Sequence, residues 1–197
     1  MRVQCLSFAL IAVLGVACGD DDGGTTVDAP PAALSCSTYC TTLMGACTGA
    51  NQQFTDMAQC VASCGAYPVG TAADMSGNTL GCRTYHAGAA KTGADVHCVH
   101  AGPGGAGMCG TNIEGLCQIV QKACTGADGP TKNPFASAAD CASKLAAVVD
   151  TTKYNVMQTG GDTLACRLYH ATVASVTPDP HCQHPVAVSA TCKAPAP

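Results

Sequence analysis

The distribution of apolar and polar positions along this chain is helical in character. Runs in which Val, Ile or aromatic residues alternate with polar ones are nearly absent, whereas alanine-rich stretches such as residues 138–149 favour helix. Start signals agree. Thr111-x-x-Glu114 and Ser137-x-x-Asp140 have the form of capping boxes. Asn78 and Asp162 stand as N-caps before segments that carry Cys-Arg-x-Tyr-His. Stretches rich in Gly and Pro, residues 101–107 and 126–134, read as loops. The pattern predicts an all-α protein.

The pattern also repeats. Gly77-Asn78-Thr79-Leu80-Gly81-Cys82-Arg83-Thr84-Tyr85-His86 aligns with Gly161-Asp162-Thr163-Leu164-Ala165-Cys166-Arg167-Leu168-Tyr169-His170. The register runs on without a gap to His97-Cys98-Val99-His100 and His181-Cys182-Gln183-His184. Upstream, Cys40, Cys47 and Cys60 match Cys117, Cys124 and Cys141; downstream, Cys109 matches Cys192. Such agreement among rare residues means duplication. Two tandem modules are expected, residues 35–110 and 111–193, each a helical hairpin plus a third short helix and loops.

Cysteine usage then sets the compartment. The chain has 16 Cys, no Trp, three Phe and five Tyr, and only 11% of its residues are charged. So few aromatics leave a small apolar core, for which cystines are the usual substitute in exported domains. Copy one has two cysteines, Cys36 and Cys64, whose counterparts are Ile113 and Leu145. Their joint loss implies that they pair. Cys36 and Cys40 lie four apart, as do Cys60 and Cys64, so each pair shares a helix face. In an antiparallel hairpin this gives Cys36–Cys64 and Cys40–Cys60, and by analogy Cys117–Cys141. The arrangement resembles the CxxxC…CxxxC helical hairpins of small disulfide-rich peptides. For Cys47, Cys82, Cys98 and Cys109, and for Cys124, Cys166, Cys182 and Cys192, three pairings per set stay open.

The N-terminal end reads as a signal peptide over residues 1–17: Arg2, an apolar run from Leu6 to Val16, then small residues. Leu14-Gly15-Val16-Ala17-Cys18-Gly19-Asp20 resembles an imperfect lipobox of bacterial lipoproteins, which implies cleavage before a lipidated Cys18. Parity fits, because loss of Cys5 and lipidation of Cys18 leave 14 Cys. Residues 18–34, rich in Asp, Gly, Thr and Pro, read as a lipid-anchored flexible tether. The expected setting is the cell envelope, with a membrane contact through the lipid and an unidentified envelope protein or ligand as partner. After removal of Arg2 the chain has eight Lys plus Arg against thirteen Asp plus Glu, a net charge near −5, which argues against nucleic acid.

All six histidines fall in the duplicated block: His86, His97 and His100, then His170, His181 and His184. One distant His plus an H-x-x-H pair can converge on zinc or copper, since residues three apart share a helical face. Asp95 and Asp179 each stand two residues before the H-C-x-H and are expected to orient a ring through its other nitrogen. Metal uptake by such imidazoles is expected to fail below about pH 6. The plainer reading is that a duplicated fold keeps structural histidines as faithfully as functional ones, with Arg83 and Tyr85 tying down loop carbonyls.

Catalytic motifs are missing. Glu114 is the sole Glu, and no H-E-x-x-H, P-loop, dinucleotide-binding glycine pattern, Cys-x-x-Cys or Cys-x-x-Cys-His occurs. The sequence therefore points to a non-enzymatic binding or interaction lipoprotein. A zinc- or copper-binding protein with one three-His site per module is the alternative, and an unfamiliar metal-dependent enzyme the third reading.

Overall fold

A computed structural model describes residues 33–194; the expected signal peptide, Cys18 and nearly all of the tether lie outside them. Eight α-helices and two 3-10 turns make up the regular structure, and no strand occurs among the described residues. In copy one the helices are α1 (Cys36–Ala46), α2 (Met57–Cys64), α3 (Leu80–Ala89) and α4 (Ala94–Ala101). Copy two repeats them as α5 (Asn112–Ala123), α6 (Ala138–Leu145), α7 (Leu164–Ala174) and α8 (Pro178–His181). Each copy thus has four helices where three were expected. The additional one contains the H-C-x-H segment in copy one and ends at its first histidine in copy two.

Capping explains most helix starts. The Thr111 side chain accepts from Glu114 N while Glu114 bonds back to Thr111 N, a complete box. Ser137 accepts from Asp140 N, but Asp140 returns its bond to Ala136 N, one residue outside the box. Thr79 and Thr163, not Asn78 and Asp162, cap α3 and α7, accepting from Cys82 N and Cys166 N. Gly77 and Gly161, just before these caps, take φ of +85° and +88°. Glycine fits there because a Cβ strains that conformation.

The hairpin α1/α2 is stapled by Cys36–Cys64 and Cys40–Cys60, and α5/α6 by Cys117–Cys141. At the lost bridge, the fully buried Leu145 and the partly buried Ile113 pack in place of sulfur. The remaining cysteines pair as Cys47–Cys98 and Cys82–Cys109, and as Cys124–Cys182 and Cys166–Cys192. No bridge joins the copies. All seven have Cα–Cα spacings of 5.6–5.8 Å, in the normal range.

Thirteen of these fourteen cysteines are buried, beside Tyr39, Leu43 and Phe54 of copy one and Leu116, Ile119, Leu164 and Leu168 of copy two. The two copies share one compact unit. Helix α2 packs on α7, Ser63 Oγ and Ser175 Oγ are 3.1 Å apart, and Val156 N donates to Gln52 O at 3.0 Å.

Arg83 and Arg167 are fully buried and organise the loops that follow the histidine helices. Arg83 donates to the carbonyls of Thr79, Gly102 and Pro103 and stacks 3.8 Å over the Tyr67 ring. Arg167 donates to the carbonyls of Thr163, Val186 and Ala187 and pairs with Asp162 at 2.7 Å. The loop-tying role expected of Arg83 is therefore present in both copies, whereas Tyr85 stays exposed.

Candidate metal centres

Each centre joins two helices of one copy. His86 projects from the last turn of α3, and α4 supplies His97 and His100, three residues apart on one face. His170 of α7 meets His181 at the end of α8 and His184 in the turn beyond it. Disulfides hold these pieces in place. Cys98 sits between His97 and His100 and is tied to α1 through Cys47; Cys182 sits between His181 and His184 and is tied to the end of α5 through Cys124.

In both trios one ring nitrogen from each histidine lies within 4.8 Å of the others. His86 Nδ1 is 2.8 Å from His97 Nδ1. His170 Nδ1 is 3.1 Å from the Nδ1 atoms of both His181 and His184. A tetrahedral zinc ion places its nitrogen ligands about 3.3 Å apart, so modest ring movements would seat one. His86 and His170 are buried, while the other four rings are half-buried, which leaves each trio with an approachable side.

The tautomers of the buried pair follow from their partners. His86 Nε2 lies 3.2 Å from Met75 O, and His170 Nε2 lies 3.3 Å from Thr159 O. A carbonyl only accepts, so each Nε2 carries the proton and each Nδ1 turns its lone pair into the cluster. This is the arrangement of a metal-binding imidazole fixed through its second nitrogen. Met75 and Thr159 were not singled out from sequence, although they occupy the same register eleven residues before their histidines. The signal was there, but a backbone acceptor has no residue type to betray it.

The aspartates do not perform the orienting role expected of them. Asp95 Oδ1 accepts from Asn51 Nδ2 at 2.8 Å. Asp179 makes no hydrogen bond to a histidine among the described residues; its charge favours protonation of His181, though burial of that ring outweighs it. The backbone carbonyls of Met75 and Thr159, in the loops that precede α3 and α7, meet the second nitrogens of His86 and His170 instead.

Burial favours the neutral form of His86, His100, His170, His181 and His184. His86 and His100 titrate below the ordinary histidine value, chiefly through desolvation, with mutual repulsion among the three rings adding to it. His181 and His184 are lowered for the same first reason. His170 falls to about 4, through desolvation and then the neighbouring His184. Protons thus compete for the lone pairs of these five rings less than for those of a solvated imidazole. The sulfurs of Cys82 and Cys109 also lie near His86, and those of Cys166 and Cys192 near His170, but as disulfides they offer no thiolate. Any ion would be held by imidazole alone, which favours zinc or copper(II) over copper(I).

The chain resembles two fungal proteins in particular. It is 32% identical over 116 residues to the Aurasperone B biosynthesis cluster protein A of Aspergillus niger, covering 57% of this chain and 38% of that relative. It is 34% identical over 102 residues to the Bifonsecin B biosynthesis cluster protein A of Aspergillus brasiliensis, covering 50% of this chain and 34% of that relative. The chain therefore spans little more than a third of the length of these curated relatives. No solved structure matches it. These relatives are fungal, so they lend no support to the bacterial lipobox resemblance, and the family match begins only at residue 32, beyond Cys18. The BfoA family C-terminal domain matches over residues 32–112 and again over 110–188, and the chain belongs to that family, carrying its domain twice.

Proposed function

We propose that this is an exported, cysteine-rich binding protein in which each module holds one zinc or copper(II) ion through three imidazoles. The observation that carries the reading is the convergence of three histidines in both copies, each trio built on an imidazole whose lone pair is aimed inward by a backbone carbonyl. Seven disulfides support an oxidising compartment, and the leader-like residues 1–17 support export.

Binding is favoured over catalysis. The sole Glu, Glu114, is engaged in the α5 capping box, and Asp95 is bonded to Asn51, so no repeated carboxylate stands ready as an acid or base beside the trios. Three ligands do leave a fourth position for water or a small ligand, and that is where a partner's donor group would enter. The names of the fungal relatives place those proteins in biosynthesis clusters, and a supporting, metal-carrying role beside such enzymes is part of the same proposal.

Titration of the oxidised protein with zinc and with copper(II), followed by elemental analysis, tests the reading. About two equivalents should bind saturably, one per three-ligand centre. No saturable uptake would overturn it. The trios would then be structural hydrogen-bonded clusters, a role that His86 already satisfies with both ring nitrogens.

A further inference from the structure

The two trios are built from matching residues but are assembled to different degrees. In copy two, His170 Nδ1 meets both partners at 3.1 Å, so all three Nδ1 atoms converge. In copy one only the contact between His86 and His97 is made, while His100 Nδ1 is buried without a hydrogen-bond partner. The ring centroids of His97 and His100 stand 6.1 Å apart, against 5.1 Å for His181 and His184.

The helices account for this. Helix α4 runs for eight residues and contains both His97 and His100, so a regular turn fixes their spacing. Helix α8 has only four residues, begins at Pro178 and includes Pro180; it leaves His184 beyond its end, free of the helical register. His184 Nδ1 can therefore reach His170 Nδ1, a contact that His100 does not make with His86.

Charge differs as well. Lys153, which belongs to copy two, reaches across to copy one. Its Nζ donates to Asp95 O at 2.8 Å and to Asn51 Oδ1 at 3.1 Å, and Asn51 in turn holds the Asp95 carboxylate. An ammonium group is thus fixed on the first turn of α4, two residues before His97, where it offsets the Asp95 charge that would otherwise draw in a cation. Among the described residues no ammonium or guanidinium group is paired with the corresponding Asp179.

Resting on the metal-binding reading above, we infer that the centres fill in sequence. His170, His181 and His184 take the first divalent ion tightly. His86, His97 and His100 take the second weakly, held in that state by Lys153 from the other copy. One module thereby sets the affinity of its neighbour.

The test is calorimetric titration of the full oxidised chain with Zn2+, with a competing chelator to resolve the tighter phase. Two phases separated by at least tenfold in Kd are expected. His184→Ala should remove the tighter phase and His100→Ala the weaker, both substitutions falling on half-buried rings; disulfide mapping checks that each variant is correctly folded. Lys153→Gln, at an exposed position, should tighten the weaker phase several-fold and leave the other unchanged. Two equal phases, loss of the tight phase in His100→Ala, or an unmoved weaker phase in Lys153→Gln would each overturn the ordering while leaving metal binding intact. Absence of any phase in the unmutated chain would instead remove the metal-binding reading and the ordering together.

Discussion

Cys98 lies between His97 and His100 on α4 and is joined to Cys47 at the end of α1. The same bond therefore supports the fold and sets the position of two candidate ligands. Replacing both cysteines, Cys47→Ala with Cys98→Ala, avoids a stranded thiol. The double variant should lose about 2–5 kcal/mol of stability, as removal of a native bridge from a small domain does. It should also lose metal at the copy-one centre while the copy-two centre keeps its own. Denaturant unfolding and stoichiometric titration measure the two effects separately.

Acid should weaken the metal-free protein, with a calculable sign. His170 titrates near 4 in the fold and near the ordinary value of about 6.5 when unfolded. Between these values the unfolded chain binds the proton and the folded chain does not, so stability falls as pH drops from about 6.5 toward 4 and levels off below that. His170→Asn should flatten this slope. Unfolding of chelator-treated protein at a series of pH values would show it.

Arg167 donates to three loop carbonyls and to Asp162 from a fully buried position. A lysine there has one compact ammonium group and cannot reproduce the fork. Arg167→Lys should cost about 2–4 kcal/mol by leaving buried acceptors unmatched. Asp162→Asn should cost under about 1 kcal/mol, since more than half of that carboxylate is in solvent and Arg83 is buried with an asparagine in the equivalent place. Denaturation curves with the disulfides intact would compare them.

Gly81 and Ala165 occupy the same position in the two copies, so alanine looks interchangeable with glycine. The structure disagrees. A Cβ on Gly81 would run into the Thr71 carbonyl oxygen, which the turn built on Thr71 and Asp74 brings close. Gly81→Ala should destabilise copy one by about 1–3 kcal/mol through overpacking. Ala165→Gly should cost only about 0.5–1 kcal/mol through backbone entropy. Paired thermal unfolding of the two variants decides the point.

How legible each feature was depends on what fixed it. The pairs Cys36–Cys64 and Cys40–Cys60 could be inferred because two cysteines vanish together in the second copy and the helical period makes their partners explicit. Cys47–Cys98 and Cys82–Cys109 could not, because the choice among three pairings depends on where α4 packs, and α4 itself was missed. Its segment, Ala94-Asp95-Val96-His97-Cys98-Val99-His100-Ala101, has no clean apolar stripe, and Val96 is exposed. Its counterpart α8 contains two prolines. The histidine trios were legible from duplicated spacing alone. Their fixing by Met75 and Thr159 was not, since a carbonyl oxygen is common to every residue. Asp95 misled for a related reason: its nearness in sequence to His97 says nothing of Asn51, forty-four residues away, which takes its carboxylate.

The order of the bridges along the chain has a consequence for cleavage. The loops closed by Cys36–Cys64, Cys47–Cys98 and Cys82–Cys109 overlap end to end, as do those closed by Cys117–Cys141, Cys124–Cys182 and Cys166–Cys192. A protease that cuts once anywhere inside either series leaves the fragments covalently joined, with no loss of mass until a reductant is added. Between Cys36 and Cys192, the stretch from Cys109 to Cys117 is the one spanned by no bridge among the described residues. A single nick there would turn one polypeptide into two closed halves, held together by noncovalent contacts such as the packing of α2 on α7 and the bonds of Lys153 and Val156 to copy one, and separable by denaturant alone.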